Sequence, residues 1–174
     1  MLGRLNILYL MNLYHSGDKD GAIRALAAGL RFSHDVANGG SLFATLVAKD
    51  LLVTHLTVVR DALRMGQLSA AQRSQLQNAV AALGDGLDWP SAARKDIEAL
   101  RAHHASEPQA SAALGRIASS YTAFLKDHSK LPTLTEAISS APQELGSLIP
   151  NPKRVGEQKQ DLADRLLQTR ALLQ

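Results

Sequence analysis

Six histidines are scattered along 174 residues, and histidine is the side chain with which helical proteins most often bind metal or move protons near neutral pH. A zinc or di-iron site on helices needs two histidines at i, i+4, or Glu-x-x-His pairs that face each other. Neither spacing occurs. His103 and His104 are adjacent and so point about 100° apart on a helix, and the His104 and Glu107 pair runs straight into Pro108. No metal site and no cofactor is therefore expected. There is no cysteine, which excludes a thiol nucleophile, a disulfide framework and thiolate ligands without fixing the compartment.

His55 lies in the most apolar stretch, five residues after Asp50 and four before Val59, and reads as a partly buried, hydrogen-bonded histidine. A catalytic base needs a nucleophile or an acid beside it, and the sequence offers none that can be placed. The Gly-x-Ser-x-Gly elbow is absent, and Gly39-Gly40 lacks the preceding strand and the spaced third glycine of a phosphate-binding loop. Asp18 with Asp20, and Asp161 with Asp164, fall on turns and outer faces where carboxylates cap and solvate. The chain is thus read as no enzyme. The alternative is a small-ligand binder or enzyme whose pocket lies near His55 and His34.

Charge points the same way. Lys and Arg exceed Asp and Glu by 19 to 16, a net charge of +3, and the signs are interspersed throughout. Phosphate backbones require several cations on one face, so no nucleic-acid partner is expected. Residues 70–83 with 88–100 have the outline of a helix-turn-helix, but the connection 84–90 is long for that motif. Trp89, the only tryptophan, precedes Pro90 and reads as a hydrophobic staple at a helix start.

The elements that must position these residues are all helical. The 29 Leu and 27 Ala make up 56 of the 174 residues, and aromatic residues only 4%, a composition that favours helices and disfavours sheets. About eight helices are expected, arranged in antiparallel hairpins. Leu2 to His15 and Asp20 to about Val36 flank the turn Ser16-Gly17-Asp18. Ser41 caps a helix that runs to about Met65. Further helices follow Ser69, Pro90 and Pro108, with breaks at Gly66 and Gly84–Gly86, and Thr133-x-x-Glu136 has the form of a capping box before a short helix, Leu134 to Ser140. Prolines 142, 150 and 152 make residues 141–152 a turn-rich connection, and 153–173 close as a helix whose seam is Val155, Leu162, Leu166 and Leu173. The domain reading is a helical-hairpin body over 1–140, with 141–174 as connection and C-terminal helix packed on the same domain.

Two segments test for membranes. Leu5 to Tyr14 follows Arg4 and has the length of a signal-peptide core, but Asn6 and Asn12 interrupt it and it leads into a turn, so it reads as a folded helix. Ser41 to Val59 has the length of a span, yet holds Lys49, Asp50 and His55, and each charged residue costs about 2.5–3.5 kcal/mol at mid-bilayer. It reads as a buried helix, apolar on most sides and the most buried of all, with Leu52 and Leu56 at its centre. No membrane span is expected.

The stretch Leu13-Tyr14-His15-Ser16-Gly17-Asp18-Lys19-Asp20-Gly21-Ala22-Ile23-Arg24-Ala25-Leu26 resembles the turn and second helix of a tetratricopeptide-type (TPR-like) hairpin, with the Gly-Asp turn, small Ala22, Leu26 and small Gly29 at that family's positions. Asn6, Leu10 and His34 depart from the pattern, and no second copy follows 34 residues after Gly17. The wider run through Asn38-Gly39-Gly40 to Pro150–Pro152 is similar to a group of uncharacterised bacterial proteins with tetratricopeptide-like helices, usually exported or membrane-tethered. The resemblance implies a short solenoid of hairpins and a non-catalytic protein-interaction or scaffold module, binding a protein or peptide partner. It implies a location in the periplasm or cell envelope if an export signal precedes Met1. It also places the first helix on the concave side, which makes Arg4, Ile7, Met11 and His15 the candidate partner-binding face, with Leu13, Ala22 and Leu26 locking the hairpin.

Overall fold

The computed structural model describes residues 2–174. Helix accounts for 83% of the chain, and no strand occurs among the described residues. The helices are α1 Leu2–His15, α2 Lys19–Asp35, α3 Leu42–Arg64, α4 Ala70–Ala81, α5 Trp89–His103, α6 Pro108–Lys126, α7 Leu131–Ser139, α8 Gln143–Leu148 and α9 Pro152–Leu173, with 3-10 turns at Val36–Gly39 and His128–Lys130. Eight of them are the helices expected. The addition is α8, a six-residue turn and a half inside the proline-punctuated connection.

Local chemistry sets the boundaries. The Asp18 carboxylate accepts the Gly21 amide at 2.7 Å and starts α2, Asp88 does the same for α5 through Ser91 at 3.1 Å, and the Ser41 hydroxyl takes the Ala44 amide at 3.0 Å. Ser69 and Gln72 form a reciprocal capping box on α4. The capping box expected at Thr133 is absent, because α7 already begins at Leu131, with Pro132 in its first turn supplying the preset φ of a helix start. Gly17 (φ +89°) and Gly86 (φ +97°) turn the chain where side-chain-bearing residues would be strained.

The chain divides into two compact units. The first comprises Met1–Gly39, Leu46–Leu87 and Gln160–Gln174, the second Gly40–Thr45 and Asp88–Lys159, so α3 and α9 each contribute to both. In the first unit the core gathers Leu26 and Leu30 of α2, Leu52, Leu56 and Val59 of α3, and Leu76 and Val80 of α4, with Leu162 and Leu166 of α9 buried on the same chain segment set. The seam residues Val155, Leu162, Leu166 and Leu173 are all buried, so the C-terminal helix is docked. Arg73 donates to the Leu172 carbonyl at 3.0 Å, and Arg170 donates to the Gly84 carbonyl. In the second unit Trp89, Ile97, Leu114, Ile117, Tyr121, Leu125 and Leu134 are buried. Trp89 is core, its ring enclosed beneath the start of α5, and Tyr121 donates from within that core to the Pro150 carbonyl at 3.0 Å.

One expectation is corrected. The helix over 41–65 is not apolar-buried on most sides: Leu52 and Leu56 are enclosed, but Phe43 is 76% exposed and Val47, Asp50, Thr54 and Thr57 lie on an open face. It is the one helix among the described residues long and apolar enough to cross a membrane. Its buried Lys49 is engaged by the Asp161 carboxylate of α9 at 2.7 Å, and Arg165 holds the other Asp161 oxygen at 2.9 Å. Asp161 is therefore a structural ion-pair partner and not a solvating surface charge. Burial pushes its carboxyl up, but hydrogen bonds and charge from Lys49 and Arg165 outweigh that and hold it below the usual carboxylate range.

Candidate functional site

The first hairpin rests on a buried polar cluster. Asn6 of α1, Ser33 of α2 and His55 of α3 meet where α1 and α2 cross α3: His55 Nε2 is 3.0 Å from Asn6 Oδ1, Nδ1 is 3.0 Å from Ser33 Oγ and 2.8 Å from the Leu51 carbonyl, and Asn6 Nδ2 donates to the Ala25 carbonyl at 3.3 Å. A serine hydroxyl against an imidazole has the outline of a nucleophile and its base. Here both residues are fully buried, and the Ser33 hydroxyl donates to the Gly29 carbonyl at 2.7 Å. The pair has no access to a reactant. A neutral imidazole has one N–H for the two acceptors Leu51 O and Asn6 Oδ1, so protonation would satisfy both, yet burial of the cation costs more and lowers the His55 pKa below its ordinary 6.5.

This cluster explains a small residue in α2. A Cβ added to Gly29 would stand 2.5 Å from both Asn6 Oδ1 and His55 Nε2, so glycine is required for α2 to approach the imidazole. A Cβ at Gly21 would meet only the capping Asp18 carboxylate, the end of a half-exposed side chain that can shift.

Beside the cluster, toward the C-terminal end of α1, the first unit opens a recess of about 350 Å³. Its walls are α1, α2, the last turns of α3 and the segment leading into α4, and its lining is nearly all apolar: Leu10 and Met11, Ile23 and Leu26, Val58 and Met65 face it. Of the candidate face, Ile7, Met11 and His15 line this recess, while Arg4 is exposed and lies outside the lining. Ala22 and Leu26, expected as hairpin locks, are buried and also form its floor. The α3 and α4 side of the wall, Val58, Ala62, Met65 and Leu68, was not foreseen from sequence. The available signal was that Met65 and Leu68 flank the Gly66 break as apolar residues in a polar turn.

The rim carries the polar groups. Tyr14 donates to Gln67 Oε1 at 2.8 Å, and the Lys19 ammonium sits 5.6 Å from the centre of the Tyr14 ring. Gln72 contributes from α4, its Oε1 taken by the Ser69 amide at 3.0 Å and its Nε2 donating to Asp20 at 2.6 Å.

His34 is elsewhere. It lines a separate groove between α2 and α4 with Arg31, Asp35, Ser74 and Asn78, and its Nε2 lies 3.3 Å from the Gly86 carbonyl. His55 lines neither this groove nor the recess. His104 pairs with Glu107 at 3.1 Å, and no group of three or more His, Cys, Asp or Glu among the described residues is arranged to hold a metal ion.

No family model, curated protein or solved structure matches this chain. The site must be read from its own geometry. That geometry is a recessed, mostly apolar surface with a hydrogen-bonding rim.

Proposed function

We propose that the chain is a non-catalytic binding module, and that the recess between α1, α2 and the α3–α4 junction is its binding site, holding an apolar anchor presented by its partner. The observation that carries this reading is that Ile7, Met11 and His15, three of the four residues of the sequence-derived face, line one recess of about 350 Å³ whose remaining lining is mostly aliphatic. A recess of that size lies at the low end of small-molecule sites and buries most of what it holds. The Ser33–His55 pair, which offers the nearest likeness to catalytic machinery, is sealed in the interior.

The protein-interaction and scaffold form of this reading draws on the tetratricopeptide resemblance of the first hairpin, as does a location in the bacterial cell envelope. A further observation favours a macromolecular surface next to the recess: α1, which walls the recess, also presents Leu5 (52% exposed), Leu8 (62%) and Tyr9 (57%) to the outside.

The two methionines of the recess supply the test. Met11 and Met65 both line it, so ¹³C-methyl-methionine spectra titrated with decanol, a neutral apolar probe, should shift both resonances together. Ala62→Phe, which fills the recess from α3, should abolish the shifts. Two methyls unmoved by the probe would refute the site.

A further inference from the structure

We infer that α1 is a hinged wall of the recess, held shut against α2 and α3 at His55 and released by acid. What the movement controls rests on the reading of the recess as the binding site. The movement itself belongs to the helix and is measured without any ligand.

α1 is thinly anchored. Among its described residues only Gly3 and Leu10 are buried, whereas α2 buries eight residues between Gly21 and Ser33. A helix that buries so little opens with a smaller free energy than the core it rests on. Its side-chain hydrogen bonds to other elements are few: Asn6 donates to the Ala25 carbonyl, Tyr14 donates to Gln67, and Asn6 Oδ1 meets His55 Nε2 at 3.0 Å. The connection to α2 is Ser16-Gly17-Asp18, all three exposed, and Gly17 (φ +89°) has open space around it. The turn can therefore flex without displacing packed side chains.

The trigger is the enclosed imidazole. His55 is fully buried, with Gly3 and Asn6 against it from α1, Gly29 and Ser33 from α2, and the Leu51 carbonyl from its own helix, none of them charged. Arg4 and Asp50, beside these residues in sequence, are exposed, and His34 faces the α2–α4 groove. An imidazolium in the closed structure has acceptors but no counter-charge, so burial works against the proton. Swinging α1 away removes the Asn6 side of the enclosure and admits water, and the imidazole regains its ordinary affinity for a proton. The open state then binds the proton that the closed state refuses, and acid shifts the population toward it. Ile7, Leu10, Met11 and Tyr14 leave with α1, so the recess loses a wall.

Amide hydrogen exchange of the full chain from about pH 5 to about pH 7.5, expressed as protection factors so that the intrinsic pH dependence of exchange cancels, tests both parts. α1 should be less protected than α2, and below pH 6.5 its protection should fall by up to about tenfold per pH unit. Asn6→Asp sets a carboxylate beside His55 Nε2 in nearly the same space. The closed state then holds the proton more tightly than the open one, and α1 should become better protected as the pH falls. His55→Gln should leave α1 less protected than α2 at every pH, with the slope gone. Equal protection of α1 and α2 in the native chain overturns the hinge, because α1 then opens only when its surroundings unfold. No slope in the native chain, a slope that survives in His55→Gln, or one that keeps its sign in Asn6→Asp overturns His55 as the trigger. None of these outcomes decides whether the recess binds, which the decanol titration reads separately.

Discussion

The α1–α2 and α5–α6 hairpins are built from helices of similar length, 14 and 17 residues against 15 and 19, yet they spend their side chains in opposite ways. In α5–α6 the buried side chains between the helices are apolar, with Ala92, Ala93 and Ile97 from one helix and Ala113, Leu114 and Ile117 from the other, and the outside is charged: Arg94 pairs with Glu98 at 3.9 Å and Arg101 donates to Ser111 at 3.2 Å. In α1–α2 the polarity is turned around. Asn6 and Ser33 point inward to His55, while Leu5, Leu8, Tyr9 and Met11 (47% exposed) point outward or into the recess. A hairpin that only has to hold itself together looks like α5–α6. In α1–α2 the buried polar groups are tied together by hydrogen bonds while apolar side chains are left outside, and it is that outer apolar surface which the binding proposal uses.

The sharpest way to break that contrast is to remove a core side chain from the hairpin that is supposed to be purely structural. Ile97 is fully buried in α5, and Ile97→Ala should cost about 2–5 kcal/mol by urea denaturation, the lost transfer energy plus the cavity. A loss under about 1 kcal/mol would mean that α5–α6 is loosely packed and that the two hairpins do not differ in kind.

Next in size is a pair of glycines in equivalent helical settings. Gly29→Ala in α2 should destabilise by about 1–3 kcal/mol, because the new methyl overpacks the Asn6–His55 contact. Gly115→Ala in α6 should stabilise by about 0.5–1 kcal/mol, since its methyl meets nothing closer than the Arg101 guanidinium at 3.7 Å and gains the helix propensity of alanine. Same-sign effects at the two positions would show that the polar cluster imposes no tight approach.

The third test is pH. Burial depresses the His55 pKa, so below its ordinary value of 6.5 the unfolded chain binds the proton that the native chain refuses. The contribution of this group is fully present above pH 6.5 and is lost as the pH falls below it, with a slope of at most about 1.4 kcal/mol per pH unit. His55→Gln should flatten that part of the stability profile. An unchanged slope in His55→Gln would place the titration on another group. The Lys49–Asp161 pair acts in a separate window: the Asp161 carboxyl is depressed, so its share is present above the usual carboxylate range and lost only as acid titrates the folded group.

What could be seen in the sequence follows from the range of the interactions involved. Helix positions, the Ser41 cap and the Gly17 and Gly84–Gly86 breaks depend on neighbours within four residues, and the burial of Leu52, Leu56 and the 155–173 seam depends on one helix's own periodicity. The recess has walls from residues as distant as Ile7 and Leu68, and no local pattern encodes which helix ends converge. The reason for Gly29 was equally hidden. Its smallness is legible, but the imidazole it accommodates comes from α3, 26 residues further along. The apolarity of 41–65 misled for the complementary reason: Phe43 and Val47 are apolar residues on an open face, and composition cannot distinguish a face covered by protein from one left uncovered.

The smallest expected effect is the most informative about α1. Leu8, on the outer turn of α1, is 62% exposed, so Leu8→Gln removes little buried area and exchanges one good helix former for another. Its cost should stay within about 0.5 kcal/mol, as should that of Glu98→Gln on the charged face of α5, where an exposed ion pair contributes little. If both are near zero in the free chain, the apolar outer turns of α1 do nothing for folding, and their chemistry has to be explained by what they meet. A loss of 2 kcal/mol or more in Leu8→Gln alone would show that this face is already covered in the folded protein. The difference between α1–α2 and α5–α6 would then be one of packing, with α1 part of a core and no longer a surface for a partner.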